Sequence, residues 1–268
     1  MSIQQIADTY NHIELTEEEM LEAIVWAKQK KEAALKDQEI RSRQNDLRKL
    51  MTNVDWDVET VKNFAIGRAN KILAQSNKEF VIDYHSGALL NLLSLYFAND
   101  PGFVQEATTL KVNNPSLQKG LLLSGNNGVG KSFMMQIFQR NRRQCFFMRN
   151  AMTIADSFDT KEPENGLSEF LDPYKNAGND PESFFQPVSG LCIEDLGTEH
   201  EKNNFGNKAN VVGNILELRY EKKLYGTILH GTTNLTVKQI QEFYGNRALS
   251  RMREMFNYIV VGGEDRRK

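Results

Sequence analysis

The chain has 268 residues, with 33 Lys or Arg against 35 Asp or Glu and a formal net charge of -2 at pH 7. This length suits one large domain or two modest ones. The near-neutral charge excludes a globally basic nucleic-acid-coating protein, so any nucleic-acid contact must come from local patches. The start, MSIQQIADTYNHIEL, lacks the basic and apolar regions of a signal peptide, and no apolar stretch is long enough to cross a membrane. We therefore expect a cytoplasmic protein without a membrane partner.

The first region with a clear pattern begins at Thr16, where Thr followed three residues later by Glu19 predicts the start of a helix. A short apolar stripe of Leu21, Ile24 and Val25 follows. Residues 28–50 then hold eight Lys or Arg against four Asp or Glu, which indicates either a solvated face or an arm that contacts a partner or a phosphate backbone.

Further helices are predicted at 58–75 and 83–98, and the sequence NDPGF interrupts the pattern after the second of them. We interpret residues 1–105 as a helical N-terminal region in which residues 16–50 form a possible partner-binding arm. No motif within this region identifies the partner.

Short apolar runs alternate with helices in the remaining part of the chain, which we interpret as a second domain at 106–268. Alternation of this kind predicts an α/β fold with a parallel five-stranded sheet and helices on both faces. Cys145 and Cys192 lie in apolar runs and are predicted to be buried packing residues. The proline-rich segment 159–189 is predicted to be a long functional or mobile loop. The predicted strands are LLLS (121–124), CFFM (145–148), LCIED (191–195), TILHGTT (227–233) and YIVVG (258–262).

A phosphate-binding loop is predicted at GNNGVGKS, because the motif follows a strand and opens a helix. Glycines let the backbone approach the phosphates, Lys131 reaches the β- and γ-phosphates, and Ser132 binds Mg²⁺. We therefore expect ATP and Mg²⁺ as cofactors. The predicted cofactor-binding residues are Gly125, Asn126, Asn127, Gly128, Val129, Gly130, Lys131, Ser132 and Phe133.

Two acids end the LCIED strand. We expect Glu194 to hold Mg²⁺ together with Ser132, and Asp195 to orient or deprotonate the attacking water. The spacing between Lys131 and Glu194 leaves room for a helix and a strand. CFFM is therefore expected to be inserted between the phosphate-loop strand and the acidic strand, as in additional-strand P-loop ATPases.

Two further features follow the acids. Asn234, at the end of the next strand, is either a sensor of the γ-phosphate or a turn residue before a helix capped by Thr236, and the neighbouring motifs favour the sensor. Arg247 and Arg251 are one helical turn apart, which suits phosphate recognition but is also typical of a solvated helix face.

Together, GNNGVGKS, EDLGTE (194–199), TTNL (232–235) and GNRALSRM (245–252) resemble motifs of the DnaC-type helicase loaders and IstB-type transposition helpers, a branch of the AAA+ ATPases. The resemblance covers residues 117–268. It implies that Arg251 acts on the ATP of a neighbouring subunit, with Arg247 in support, and that Arg267 senses nucleotide in cis. Two departures are Asp265 in place of a serine and the order Glu194–Asp195. Misplacing a carboxylate by about 1 Å costs roughly a hundredfold in rate, so we expect slow hydrolysis.

The resemblance implies an oligomeric ATPase that binds single-stranded DNA and loads a replicative helicase, with Phe158, Phe170 and Tyr174 either stacking on bases or packing within their loop. One alternative is a transposition helper that binds duplex DNA and a transposase. Another is a nucleotide-gated adaptor that does not hydrolyse ATP. A small-molecule kinase fits least, because it would leave Asn234 and Arg251 without a role.

Overall fold

A computed structural model describes residues 16–52, 56–141, 143, 145–157, 190–200, 202–204, 207–221 and 229–267. The predicted insertion at 159–189, with Phe158, Phe170 and Tyr174, lies outside the described residues. The chain divides into two compact units, Met1–Asn53 and Val54–Lys268. Among the described helices, none is both long enough and apolar enough to cross a membrane.

The described part of the first unit is one long helix, α1 (Glu17–Thr52). It begins with the predicted capping box: the Thr16 hydroxyl accepts from the Glu19 backbone N–H at 3.3 Å, and the Glu19 carboxylate accepts from the Thr16 N–H at 2.8 Å. The apolar side chains of Leu21, Ile24 and Val25 are exposed. The predicted helix start is confirmed, and the partner-binding role of this arm stays a prediction.

Three helices open the second unit: α2 (Val58–Ala74), α3 (Tyr84–Phe97) and α4 (Gly102–Thr109). The first two confirm the predicted helices to within one or two residues, and an aspartate side chain caps each. The helix α4 was not predicted, because NDPGF was interpreted as an interruption. Proline fits the start of a helix, where its missing N–H removes no intrahelical hydrogen bond, and Asp100 accepts from the Gly102 N–H at 2.7 Å.

The centre of the second unit is a sheet of five parallel strands, in the spatial order 146–150, 190–196, 229–233, 120–124 and 256–260, and two further described strands, 202–204 and 207–209, form a separate antiparallel pair. The predicted α/β fold with a five-stranded parallel sheet is therefore confirmed. This strand pair was not predicted, because its strands, KNN and NKA, are polar and lack an apolar alternation. The strands are β1 (Gly120–Ser124), β2 (Phe146–Asn150), β3 (Gly190–Leu196), β4 (Lys202–Asn204), β5 (Asn207–Ala209), β6 (Leu229–Thr233) and β7 (Phe256–Val260).

One prediction about strand placement is wrong. The strand between β1 and β3 is β6, and β2, which contains most of CFFM, lies at the edge of the sheet. All five residues of β6 are buried, whereas only the first residue of β2 is buried and the strand ends in Arg149 and Asn150. A half-polar strand is better solvated at an edge than in the centre. The additional-strand arrangement holds, but β6 supplies the inserted strand.

The other helices in the described part of the chain are α5 (Lys131–Phe138), α6 (Ala151–Ser157), α7 (Val211–Glu221) and α8 (Val237–Met255). The predicted capping box of Thr236 and Gln239 is present at the start of α8. The backbone of α8 is kinked at Gly245, which has a φ of 84°.

The core has two parts, one on each face of the sheet. On β1, Leu121 and Leu123 belong to the part that contains residues of α2–α5, and Leu122 between them belongs to the part that contains residues of α7 and α8. This follows from the alternation of side chains along a strand. Cys145 and Cys192 are both buried and not disulfide-bonded, as predicted.

Candidate nucleotide site

The phosphate-loop motif joins the end of β1 to the start of α5. Gly128 and Gly130 have φ values of 79° and 93°, a left-handed conformation that strongly favours glycine. Gly130 lies at the N-cap of α5, so the first backbone N–H groups of this helix have no intrahelical acceptor and can bind phosphate oxygens. The predicted residues of the motif therefore lie in the strand–loop–helix context that they require.

Lys131 is the buried cation of this loop. Its Nζ donates to the backbone oxygens of Gly125 and Asn126, both at 2.8 Å, and to Oδ1 of Asn234 at 2.7 Å. Burial lowers the pKa of the Lys131 ammonium, and the charge of Arg267 lowers it further, while Asp195 opposes both effects. The ammonium is thus held at the centre of the loop by acceptors that phosphate oxygens can replace.

Glu194 and Ser132, the two residues predicted to bind the metal ion, are in contact. The Ser132 hydroxyl donates to the Glu194 carboxylate, so β3 brings this acid to the start of α5. Burial raises the pKa of Glu194, the neighbouring Asp195 raises it as well, and the bond from Ser132 partly offsets both effects. Both side chains have oxygen atoms that can act as ligands of Mg²⁺. In nucleotide sites Mg²⁺ typically takes one or two protein ligands beside phosphate and water.

Asp195 is held in a different orientation from Glu194. The register of β3 against β6 is irregular between Ile193 and Leu196, and Asp195 has a φ of 54°. Its backbone N–H donates to the Thr232 hydroxyl at 3.0 Å, and its carboxylate accepts from the Asn150 amide at 3.4 Å. Asn150 was not predicted as a site residue. It could have been, because it is a polar residue at the end of β2, the strand that pairs with the one carrying the two acids.

Asn234 follows β6 and meets Lys131 across the loop, so the structure brings these two predicted residues together. The alternative interpretation made Asn234 a turn residue before α8. Thr236 caps that helix, and the side-chain oxygen of Asn234 accepts from Lys131 instead. This position suits a γ-phosphate sensor, and that role stays a prediction.

The C-terminal residues lie against the phosphate loop. The Arg266 N–H donates to the Gly128 oxygen at 3.0 Å, and the Arg266 guanidinium pairs with Asp83 at the start of α3. A Cβ built on Gly128 would lie 1.8 Å from the Asp265 carboxylate. The predicted cis sensor, Arg267, therefore belongs to a tail that contacts the loop, but the Asp83–Arg266 anchor was not predicted.

Phe133, which was predicted to contact the cofactor, packs on the side of α5. Its ring centroid is 5.8 Å from that of Phe80, and both rings pack against the core that contains α2–α5. Val129 is buried in the same core. These two side chains therefore join the loop to the core, and their predicted contact with the cofactor stays a prediction.

Arg247 and Arg251 have ion-pair partners on α7 rather than in the phosphate loop of their own chain. Arg251 lies 3.4 Å from Glu217 and 3.1 Å from Glu221. Arg247 lies 3.6 Å from each of the same two carboxylates. The predicted arginines thus lie together, but apart from the cluster of Lys131, Glu194 and Asn234.

Similarity to known proteins is found at the level of structure but not at the level of sequence. No family model matches the chain, and no curated protein matches its sequence. Solved structures do match, and one of them is a crystal structure of the DnaC helicase loader. It is 16% identical, the match covers 69% of this chain and 95% of that chain, and the TM-score is 0.45. Similarity at this level does not show an activity, so the activity is inferred from the residues of the site.

Proposed function

We propose that this chain is a Mg²⁺-dependent ATPase whose ATP-bound form self-associates. The observation that carries the proposal is the meeting of four predicted groups at the ends of adjacent strands. Lys131 bonds to Asn234 at 2.7 Å, and Ser132 bonds to Glu194 beside them. Ligands of α/β proteins bind at this edge of a parallel sheet, outside the carboxyl ends of the strands.

Each group has a distinct role in the proposed reaction. Lys131 and the loop N–H groups bind the β- and γ-phosphates, while Ser132 and Glu194 would hold Mg²⁺, which neutralises charge as the phosphoryl group transfers. Asp195 accepts a hydrogen bond from the attacking water and orients it. Asn234 leaves the Lys131 ammonium and donates its amide to the γ-phosphate or to that water.

Slow hydrolysis is the expected rate behaviour. The shorter acid, Asp195, stands where the water must be oriented, and the Asn150 amide holds its carboxylate at 3.4 Å. In-line attack depends on placement to within about 1 Å, so the shorter reach lowers turnover. The same observation favours a second candidate, an adaptor that binds ATP without hydrolysing it.

At a finer level, we propose a cytoplasmic helicase loader that binds single-stranded DNA and delivers a replicative helicase. The motif resemblance of residues 117–268 supports this assignment, and the exposed apolar stripe of α1 offers a surface for the partner. A transposition helper that binds duplex DNA and a transposase has the same nucleotide chemistry and remains the alternative at this level. Arg251 completes the ATP site of a neighbouring copy in either case, as Arg267 senses nucleotide in its own.

Hydrolysis of ATP by the purified full chain, with and without Mg²⁺, tests the ATPase proposal. Lys131→Ala is expected to abolish ATP binding. Lys119→Ala is the matched control, because Lys119 Nζ also bonds to two backbone oxygens but lies away from the loop. Binding without hydrolysis in the wild-type chain would favour the adaptor. Equal binding by the wild type and Lys131→Ala would contradict the site itself.

The partner is tested separately. Affinity purification in ATP should recover a ring helicase for the loader and a transposase for the helper, and a preference for single-stranded over duplex DNA should follow the first outcome. Deletion of residues 16–50 is expected to abolish complex formation and leave ATP binding intact. Loss of ATP binding in the deletion variant would contradict the interpretation of this segment as a partner arm.

A further inference from the structure

Arg251 is enclosed by side chains of α7. Its Nη2 donates to Glu221 at 3.1 Å, its Nη1 lies 3.4 Å from Glu217, and its guanidinium carbon lies 5.0 Å from the centre of the Tyr220 ring. Only 14% of the Arg251 side chain is exposed, against 70% for Arg247. In this conformation the Arg251 guanidinium is engaged by side chains of its own chain.

These contacts do not provide hydrogen-bond acceptors for all N–H groups of the Arg251 guanidinium. Nη1 is buried and, among the residues that the structure describes, has no partner with hydrogen-bond geometry, although it lies within ion-pair distance of Glu217. The carboxylates of Glu217 and Glu221 are partly exposed to solvent, and both are shared with Arg247. A guanidinium has five N–H donors, and a planar fork of two acceptors satisfies it better than this arrangement does.

We propose that Glu217 and Glu221 form an acidic latch, which holds Arg251 within its own subunit until the triphosphate of a neighbouring copy takes it. The proposal rests on the proposed function, because it requires Arg251 to act in trans. Phosphate oxygens offer the guanidinium bidentate acceptors of higher charge than one carboxylate. The γ-phosphate supplies these acceptors at the proposed contact, so ATP opens the latch and ADP leaves it closed.

The latch has a defined consequence for assembly. Breaking the pairs with Glu217 and Glu221 opposes association, so the latch raises the protein concentration at which copies assemble. Weakening the latch should therefore promote assembly in ATP. If the acids instead aligned Arg251 for its neighbour, weakening them would impair assembly. The two mechanisms predict shifts of opposite sign.

The test uses the full chain with Glu217→Gln and, separately, Glu221→Gln. ATP turnover is measured against protein concentration, and sedimentation is recorded in ATP and in ADP. Each variant removes one ion pair of Arg251 and one of Arg247. Loss of the partly exposed pair with Arg251 is expected to lower the concentration for half-maximal turnover by about two- to fivefold. Glu242→Gln is the control, because Glu242 pairs only across one helical turn with Lys238 and should give no shift.

A combined variant, Glu217→Gln with Arg251→Ala, makes the test specific. The gain in ATP-dependent assembly of Glu217→Gln, measured by sedimentation relative to the matching Arg251 background, must disappear when Arg251 is absent. A gain that persists, no gain in either single variant, or a shift to higher concentration would overturn the latch. Failure of the proposed function has a different signature: Arg251→Ala alone would leave turnover and its dependence on concentration unchanged.

Discussion

The two halves of the proposed ATP site are built from different kinds of contact. In the phosphate half, the buried ammonium of Lys131 bonds to two backbone oxygens and to Asn234. In the arginine half, Arg247 and Arg251 are held by two partly exposed carboxylates on α7. A cation held by fixed backbone oxygens keeps its place, whereas one held by exposed carboxylates can exchange partners. The first half is therefore suited to binding and the second to switching.

This difference has an energetic counterpart. Exposed ion pairs contribute about 0.2–1 kcal/mol each, whereas a buried polar group that loses its partner costs about 1–3 kcal/mol. Changes in the phosphate half should consequently have larger effects than changes in exposed contacts. Four variants test this expectation, and they follow in order of expected effect.

Glu194→Gln should have the largest effect. The amide keeps the size of the side chain but removes the charge that would hold Mg²⁺ beside Ser132, so Mg²⁺-dependent hydrolysis should fall on the order of a hundredfold. ATP binding without metal should change little. A steady-state ATPase assay over a range of Mg²⁺ concentrations measures this loss, and turnover within a few fold of the wild type would contradict the role of Glu194.

The stability of the same variant relative to the wild type is expected to depend on pH in the absence of nucleotide. The folded-state pKa of Glu194 is raised by burial, so the folded state binds this proton more tightly than the unfolded state does. Stability therefore falls as pH rises from the unfolded carboxyl pKa of about 4.3 through the folded pKa. Glu194→Gln removes this loss. Thermal unfolding should show a higher Tm than the wild type at neutral pH and no gain near pH 4, while a variant less stable at neutral pH would contradict the prediction.

Gly128→Ala should have the next largest effect, on stability. A Cβ at this residue would lie 1.8 Å from Asp265 and would require a positive φ, so the loop or the tail must move. We expect a loss of about 1–3 kcal/mol in the free energy of unfolding. Gly67→Ala is the matched control, because a Cβ at this residue would meet no described atom within 4 Å apart from its chain neighbours and the nearby backbone of its own helix, and α2 should gain about 0.5–1 kcal/mol. Denaturant unfolding should therefore show a lower free energy of unfolding than the wild type for Gly128→Ala and a higher one for Gly67→Ala.

The phosphate half was largely predictable from the sequence because its order follows from the chain. The glycines, Lys131 and Ser132 lie in one continuous strand–loop–helix segment. Glu194 lies near the end of β3, and Asn234 directly follows β6. In a parallel sheet the carboxyl ends of the strands meet at one edge, so the motifs had to converge. The order of the strands was not predictable in the same way, and β6 rather than β2 occupies the centre because burial along the strand decides it.

Contacts between distant segments were not predictable. Asp83 and Arg266 are 183 residues apart, and neither belongs to a pattern that would indicate the other. The acids that hold Arg251 lie on α7, a helix that packs against α8 only in the folded chain. Such pairs depend on how helices and the tail are placed on the sheet, which local spacing does not determine.

Asn234→Ala should have a smaller effect than Glu194→Gln and should act on turnover more than on binding. The loop oxygens of Gly125 and Asn126 still hold the Lys131 ammonium, so ATP should bind within a few fold of the wild type. Turnover should fall by about tenfold, because one hydrogen bond to the γ-phosphate or water is lost. Asn63→Ala removes a hydrogen bond to Glu59 on the surface of α2 and is the control. Equal loss in the two variants would mean that Asn234 only shapes the turn.

Arg266→Ala should have the smallest effect, because it removes an exposed contact from the otherwise buried half. The backbone N–H of residue 266 can still donate to Gly128, and Asp83 can still cap α3 through its other carboxylate oxygen. Only the ion pair that anchors the tail is lost, so ATP affinity should weaken by roughly two- to fivefold. Lys238→Ala, which breaks a surface pair with Glu242, provides the baseline for an exposed pair. Calorimetric titration of both variants with ATP measures the difference. If Arg266→Ala weakened ATP binding as much as Lys131→Ala does, the exposed ion pair of the tail would be as important for binding as the buried ammonium. Burial would then not distinguish the contacts that bind the phosphates from the contacts that change partners.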